Sequence, residues 1–590
     1  MAEREWTPDQ KNAIEARGGT LLVSAAAGSG KTAVLVERVV QRLLDPINGC
    51  DADRLLVVTF TKAAAAEMRE RISAALSAPL AARPDDARLL RQQMLLPCAA
   101  ICTIDSFCND LVRENFHRLD LAPDYKILDA GELTLLRSEA MDIAMEEFYQ
   151  KGDPAFTELL ELVRKGRDDA ELTETVSRLY DYTQAYPFPE EWIQHARALC
   201  RADLPEQENP WMAEIRAYLA QALAFAQHTA QSARALLETE PALCEKYAPA
   251  FDSDLNALTR VQAALTGGWD ALCDALNAIS FVRIPNAPRE YANSPIKAAA
   301  KESRDRVKDT VKKMQESLCA NAAENAEDMA YLAPLLNQLF DLTLRFSEEF
   351  TRLKRGRHAA DFSDIEHMAL SLLVERKGGT LCRSPLAQEL SARYEEILVD
   401  EYQDTNEAQD LLFRMLSRED SNLFLVGDVK QSIYRFRQAM PEIFLHRRDR
   451  LPPYVRGNYP ARITLGRNFR SRKGVTGMVN FLFRQLMSRQ LGEMEYTQEE
   501  ALVPAAPYPE RQDPDCEIHL LDAGDKGDDS AAVYEARYIA AHINRLLREG
   551  LTVQDGGKAR PARRKDFCIL LRGVKGLSLI HISEPTRPIS

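Results

Sequence analysis

The stretch Leu21–Thr32, LLVSAAAGSGKT, decides how the rest of the chain is read. A short apolar run, Leu21-Leu22-Val23, gives way to small residues. Gly28-Ser29-Gly30-Lys31-Thr32 then opens an apolar-periodic segment, AVLVERVVQRLL. That succession predicts a strand, a tight loop and a helix. Small residues at Ala25, Ala26, Ala27, Gly28, Ser29 and Gly30 let backbone N–H groups turn inward around an anion, at the positive end of the helix. Lys31 is then placed to reach the β and γ phosphates of a nucleoside triphosphate, and the Thr32 hydroxyl to hold Mg²⁺. The pattern is A-x-x-G-x-G-K-T, with alanine (Ala25) where such loops usually begin on glycine.

Just upstream, Thr7-Pro8-Asp9-Gln10 predicts a helix start with a capping box. Gln10 also lies where one amide donor and one acceptor could read an adenine edge. Downstream, two further strand-like runs end in polar and aromatic residues. Leu55–Val58 leads into Thr59-Phe60-Thr61-Lys62, and Ile101–Ile104 into Asp105-Ser106-Phe107-Cys108. Ligands of open α/β sheets bind at strand carboxyl ends, so Phe60 and Phe107 are read either as core or as a stacking surface for a single strand. Later, EILVD ends in Asp400-Glu401. The first acid is suited to meet Mg²⁺ through water and the second to accept a proton from an attacking water. After Leu423–Val426, Gln431 is placed to sense a γ phosphate, while Tyr434, Phe436 and Arg437 interleave rings and charge suited to bases and backbone phosphates. Arg470, in Asn468-Phe469-Arg470-Ser471, is read as a guanidinium reaching across a cleft to the γ phosphate.

Between these blocks the pattern changes. From about residue 125 to 385 long helical periodicities dominate and strand signals are nearly absent, which predicts a helical insertion. Lys301–Lys313 reads as a solvated helix face. Residues 502–516 are Pro-rich, a helix is predicted over about Ala531–Leu547, and Lys565–Arg572 reads as a core strand of a second αβ domain. The last residues are unlike the rest, and HISEPTRPIS resembles translated adaptor sequence, so 573–590 is expected to be a non-native tail.

With 45% apolar and 28% charged residues, the 590-residue chain can fill several cores. A net charge of -14 argues mildly against wholesale coating of nucleic acid without excluding a local groove. Eleven cysteines without a C-x-x-C pair favour buried thiols over metal or disulfide. No apolar run approaches a membrane span, and the N-terminus lacks a signal core, so a cytoplasmic protein is expected.

These blocks, in this order, resemble superfamily 1 helicases of the UvrD/Rep class. SAAAGSGKT, VVTFTKAAAAEM, TIDSFC, DFSDIEH, ILVDEYQDTN, VGDVKQSIYRFRQ and LGRNFRS carry the likeness. TIDSFC and DFSDIEH point further, to the AddA-type helicase-nuclease subunits of bacterial double-strand-break repair complexes. The resemblance implies ATP and Mg²⁺ as ligands, with Gln10 and Phe469 on adenine. It implies Lys31, Glu401, Gln431 and Arg470 as the catalytic set, Thr32 and Asp400 at the metal, and Thr59, Phe60, Tyr434 and Phe436 on single-stranded DNA. It further implies 3′→5′ translocation, DNA with a single-stranded track or duplex end as substrate, and a heterodimer with an AddB-like nuclease subunit.

The expected fold is α/β. Residues 1–125 and 385–465 make a RecA-like P-loop domain, 126–384 a mainly helical insertion, and 466–572 the start of a second RecA-like domain. Late helicase blocks and an acidic nuclease cluster are not found, so an N-terminal fragment is expected. Three other readings stand beside this one. A stand-alone UvrD-like helicase differs by lacking a nuclease domain, and a nucleotide-dependent DNA-binding switch would lack a base such as Glu401. A structural helical scaffold would explain 125–385 but not the polar strand ends.

Overall fold

Six parallel strands form the sheet on which the glycine-rich loop sits. They are β1 (Leu21–Ala25), β2 (Leu55–Thr59), β3 (Ala100–Thr103), β4 (Glu396–Val399), β5 (Leu423–Gly427) and β6 (Ala461–Leu465). Their order is β6-β1-β5-β4-β2-β3, and every neighbouring pair is parallel. The computed structural model describes residues 5–571 except 120, 167, 292, 319, 420, 511–513, 527–529 and 556–557.

β1, β2, β4 and β5 are buried at every position, as parallel strands covered on both faces must be. Alternate residues feed opposite cores. Leu21 and Val23 join Val34, Leu35 and Val39 of α1 (Lys31–Leu44) and Met68 and Ile72 of α2 (Lys62–Ala82). Leu22 and Leu56 face the other way, onto Leu111 of α3 (Ile104–Glu114), Ile365 and Leu370 of α4 (Phe362–Leu373), and Leu411 of α5 (Glu407–Leu416). Every strand carboxyl end therefore opens on the same edge, where the polar blocks stand.

The helical insertion leaves after β3 and returns before β4. Helices Ala130–Lys151 and Ala322–Gly356 pack on one core, and Pro210–Leu237 with Pro295–Ser317 on others. A short parallel pairing of Lys126–Ile127 with Ala359–Ala360 ties its entry to its exit. Two expectations shift. α4, expected inside the insertion, packs into the sheet core through Ile365, Ala369 and Leu373, because its apolar face matches that layer. The segment after it forms an antiparallel hairpin, Val374–Lys377 with Thr380–Arg383. Within the basic run, Lys301, Arg306, Lys312 and Lys313 are exposed. Arg304 instead is buried in a bidentate pair with Asp254, at 2.6 and 3.0 Å.

The chain divides into two compact units. One holds the residues up to Arg470 together with Phe483–Val503, and the other holds Ser471–Leu482 and everything from Pro504 onward. The second contains α6 (Ala531–Arg548) and a hairpin of Thr552–Asp555 with Lys558–Pro561. The core strand expected at 565–572 does not form over its described residues. Phe567–Leu571 has no strand beside it to share hydrogen bonds, and Leu570 is 89% exposed. Arg572 and the tail 573–590 lie outside the described residues.

Candidate functional site

The loop after β1 is held open from both sides. Gly28 and Gly30 take left-handed φ values of 70° and 85°. The Ala26 N–H donates to the Leu465 carbonyl at the end of β6 (2.9 Å), and Phe469 N–H donates to Gly28 O (2.9 Å). Asn468 Nδ2 donates to Ala27 O at 2.7 Å. A Cβ on Gly28 would meet Asn468 Nδ2 at 2.7 Å and Arg470 Cβ at 2.9 Å, so only glycine admits this approach. Gly30 caps α1 without a side-chain hydrogen bond, leaving first-turn N–H groups for an anion. Ser29 Oγ is buried with no partner among the described residues. This cradle fits a polyphosphate.

Gln10 lies beneath the loop. The helix Pro8–Glu15 has the expected capping box, with Gln10 Oε1 accepting from Thr7 N–H (3.0 Å). Its Nε2 donates to Ser29 O at 2.9 Å. The amide expected to read adenine thus caps its own helix with its oxygen and holds the loop with its nitrogen.

Across from the loop, Asp400 and Glu401 follow β4. Glu401 adopts a left-handed φ of 52°, a strained backbone that turns its carboxylate toward the loop. Lys31 Nζ lies 2.9 Å from Glu401 Oε2. Burial, then the charge of Glu401, push the Asp400 carboxyl up to about 6, against the opposing pull of Lys31. Burial and Glu401 push Asp404 up to about 6 as well. Carboxyls crowded in this way suit a divalent cation, with the Thr32 hydroxyl at the head of α1 a further oxygen donor.

Sequence reasoning missed the residue that joins these parts. Gln403, 1% exposed, donates from Nε2 to Glu401 Oε2 (2.9 Å) and Asp404 Oδ2 (3.1 Å). Its Oε1 accepts the Asp428 N–H at 2.9 Å. Gly427 is glycine because a Cβ there would fall 2.5 Å from Gln403 Oε1. Asp428 in turn accepts from Gln431 Nε2 (2.7 Å) and pairs with half-buried Lys430 (2.9 Å), which also meets Glu500 at 2.6 Å. A glutamine between two acids in the sequence was the available signal.

Three residues past Gln431 the rings begin. Phe60 and Tyr434 pack with centroids 4.6 Å apart and planes tilted by 35°, and Phe436 follows at 5.7 Å from Tyr434. The Arg437 guanidinium lies 5.4 Å from the Tyr434 ring and 5.7 Å from that of Phe436, which is 74% exposed. Two expected nucleic-acid contacts do not reach this surface. Phe107 is 7% exposed, in the core beside Tyr394, because it heads the inner face of α3. The Thr59 side chain is buried, and its hydroxyl donates to Thr61 O. Next to the rings a cleft of about 320 Å³ is lined by Phe60, Asp105, Glu366, Asp400, Asp404 and Arg437, among others. Glu366, another residue missed from sequence, is pushed up to about 7 by burial and by Asp105.

Among the described residues no helix is long and apolar enough to cross a membrane. The chain is 41% identical over 521 residues to an ATP-dependent helicase/nuclease subunit of Moorella thermoacetica, covering 86% of this chain and 37% of that protein. The helicase/nuclease subunit of Geobacillus kaustophilus is 38% identical over 97% of this chain and 48% of its own length. That of Alkaliphilus oremlandii is 36% identical over 96% and 47%. The chain thus spans about half the length of the curated relatives it matches. The family model for the UvrD/REP helicase N-terminal domain matches residues 6–452, the span that holds the loop, both acids, Gln403 and the rings. With its RecA-like P-loop sheet and helical insertion, the chain belongs to the UvrD/REP helicase family.

Proposed function

We propose that this chain is the ATP-driven motor part of a cytoplasmic helicase-nuclease that acts on DNA with a single-stranded track or duplex end, beside an AddB-like partner, in double-strand-break processing. The observation that carries the reading is the hydrogen-bonded path Glu401–Gln403–Asp428–Gln431, which ends three residues before an exposed ring cluster. A nucleotide hydrolase needs the first end of that path, and a single-strand translocase needs both.

In this reading the α1 N-terminus and loop amides bind the triphosphate, with Lys31 on its β and γ phosphates and Phe469 against the base. Gln10 contributes by shaping the loop from below. Thr32 and Asp400 would hold Mg²⁺, which supplies charge neutralisation and orientation of the phosphates. Lys31 exchanges Glu401 for phosphate, and the freed carboxylate takes a proton from the attacking water. Gln403 keeps its hold on Glu401 and passes any shift of that carboxylate to Asp428 and Gln431. Arg470 offers its guanidinium to charge developing on the γ phosphate. Phe60, Tyr434 and Phe436 stack bases while Arg437 meets backbone phosphate. The 3′→5′ direction follows from family likeness rather than from this chemistry.

The test is DNA-stimulated ATP turnover and duplex unwinding, measured with the partner protein present, beside Glu401→Gln. Turnover is expected to fall at least about a hundredfold with nucleotide binding retained. Unchanged turnover in the variant would remove Glu401 from the role of base.

A further inference from the structure

We propose that Glu517, His519 and His542 form a binding site for one divalent transition-metal ion of the zinc type, fastening the segment around Glu517 to α6. The site lies wholly within the second compact unit and is independent of the motor reading.

The ligating atoms of the three side chains lie within 4.8 Å of one another. His519 Nε2 is 2.9 Å from Glu517 Oε2, and His542 Nε2 is 4.0 Å from the same oxygen. Ligands around a tetrahedral zinc with bonds of about 2.0–2.1 Å stand roughly 3.3 Å apart, so small side-chain rotations suffice. The two imidazoles already lie with centroids 4.7 Å apart and planes tilted by 60°, and Tyr538, one turn before His542, stacks parallel to it at 6.2 Å. Two imidazoles and one carboxylate favour zinc, cobalt or nickel over magnesium or calcium, which prefer all-oxygen shells.

The protons can be followed. Arg545 Nη2 lies 2.8 Å from His542 Nδ1, and a guanidinium only donates. In the neutral ring His542 Nε2 therefore carries the proton. His519 Nε2 donates to Glu517, while its Nδ1 lies 2.6 Å from the Tyr538 hydroxyl. Metal binding at both Nε2 atoms moves each proton to Nδ1 through water, with none released. On His519 the new Nδ1–H donates to the Tyr538 oxygen, reversing that hydrogen bond and orienting the ligand. On His542 the new Nδ1–H faces Arg545, whose exposed side chain must swing away. Arg545 thus opposes the metal, and Tyr538 supports it.

The experiment titrates the tag-free chain with Zn²⁺ against a chromophoric chelator and records the Co²⁺ ligand-field spectrum. One ion per chain is expected, with no near-ultraviolet thiolate band. His519→Ala and His542→Ala should each abolish it, and Tyr538→Phe should weaken binding about tenfold. Arg545→Ala should tighten it. Cys516→Ser, which removes the neighbouring exposed thiol, should change nothing. Binding that survives both histidine variants, that is lost with Cys516, or that weakens in Arg545→Ala overturns the site.

Discussion

Gln403 is the residue on which the proposed motor turns, because one buried amide serves two acids and the backbone of Asp428. Gln403→Ala leaves that N–H without its acceptor, and DNA stimulation of ATP turnover is expected to fall roughly five- to a hundredfold. The rate without DNA should change far less, and steady-state assays with and without oligonucleotide read the difference. Equal loss in both would make Gln403 a mere support for Glu401. The two phenylalanines separate surface from core in the same way. Phe436→Ala should weaken single-stranded oligonucleotide binding by about 1–3 kcal/mol in a fluorescence titration, with thermal stability unchanged. Phe107→Ala should instead cost about 3–5 kcal/mol of stability.

Between elements, Glu366 on α4 meets α5 through Gln409, whose Nε2 donates to it at 2.7 Å. Burial and Asp105 raise its carboxyl from the usual 4.5 to about 7. Below the lower value both folded and unfolded chains hold the proton, so pH has no effect through this group. Between the two values the folded chain keeps a proton that the unfolded chain has lost, and stability falls as pH rises, levelling off above about 7. Glu366→Gln keeps the acceptor and removes the charge. It should be more stable than the parent near pH 8, by as much as about 3 kcal/mol, with the difference vanishing towards pH 4.5 in urea melts. How much of this was legible in the sequence depended on range. The strand–loop–helix at Leu21–Thr32, the capping box of Thr7 and Gln10, and α6 follow from local spacing, and they lie where that spacing put them. Glu366 and Gln403 owe their character to burial by residues far away in sequence, which no local pattern carries. Phe107 and Phe60 stand at similar strand ends, and the helix face that follows each decides which is buried.

At the scale of the whole molecule, the two compact units differ in how they are filled. None of the six buried apolar clusters among the described residues draws on Ser471–Leu482 or on residues from Pro504 onward. There Ile518 is 73% and Leu520 93% exposed. Opening should be cheapest where buried apolar contact is least. Hydrogen exchange is accordingly expected to be fast along the described residues of 514–571 and slowest in β1, β4 and β5. Protection in α6 matching that of β1 would contradict this. The sheet itself carries a consequence in time. β2 pairs with β4, and β1 with β5 and β6, across the residues of the helical insertion. During synthesis at about 5–20 residues per second, the first three strands emerge roughly 15–60 s before β4. For that interval the nascent chain displays apolar strands that lack their central neighbours. The insertion's helices, whose contacts are mostly among themselves, can fold meanwhile. The glycine-rich loop is thus made early and becomes a cradle late, once the ribosome has passed Phe469.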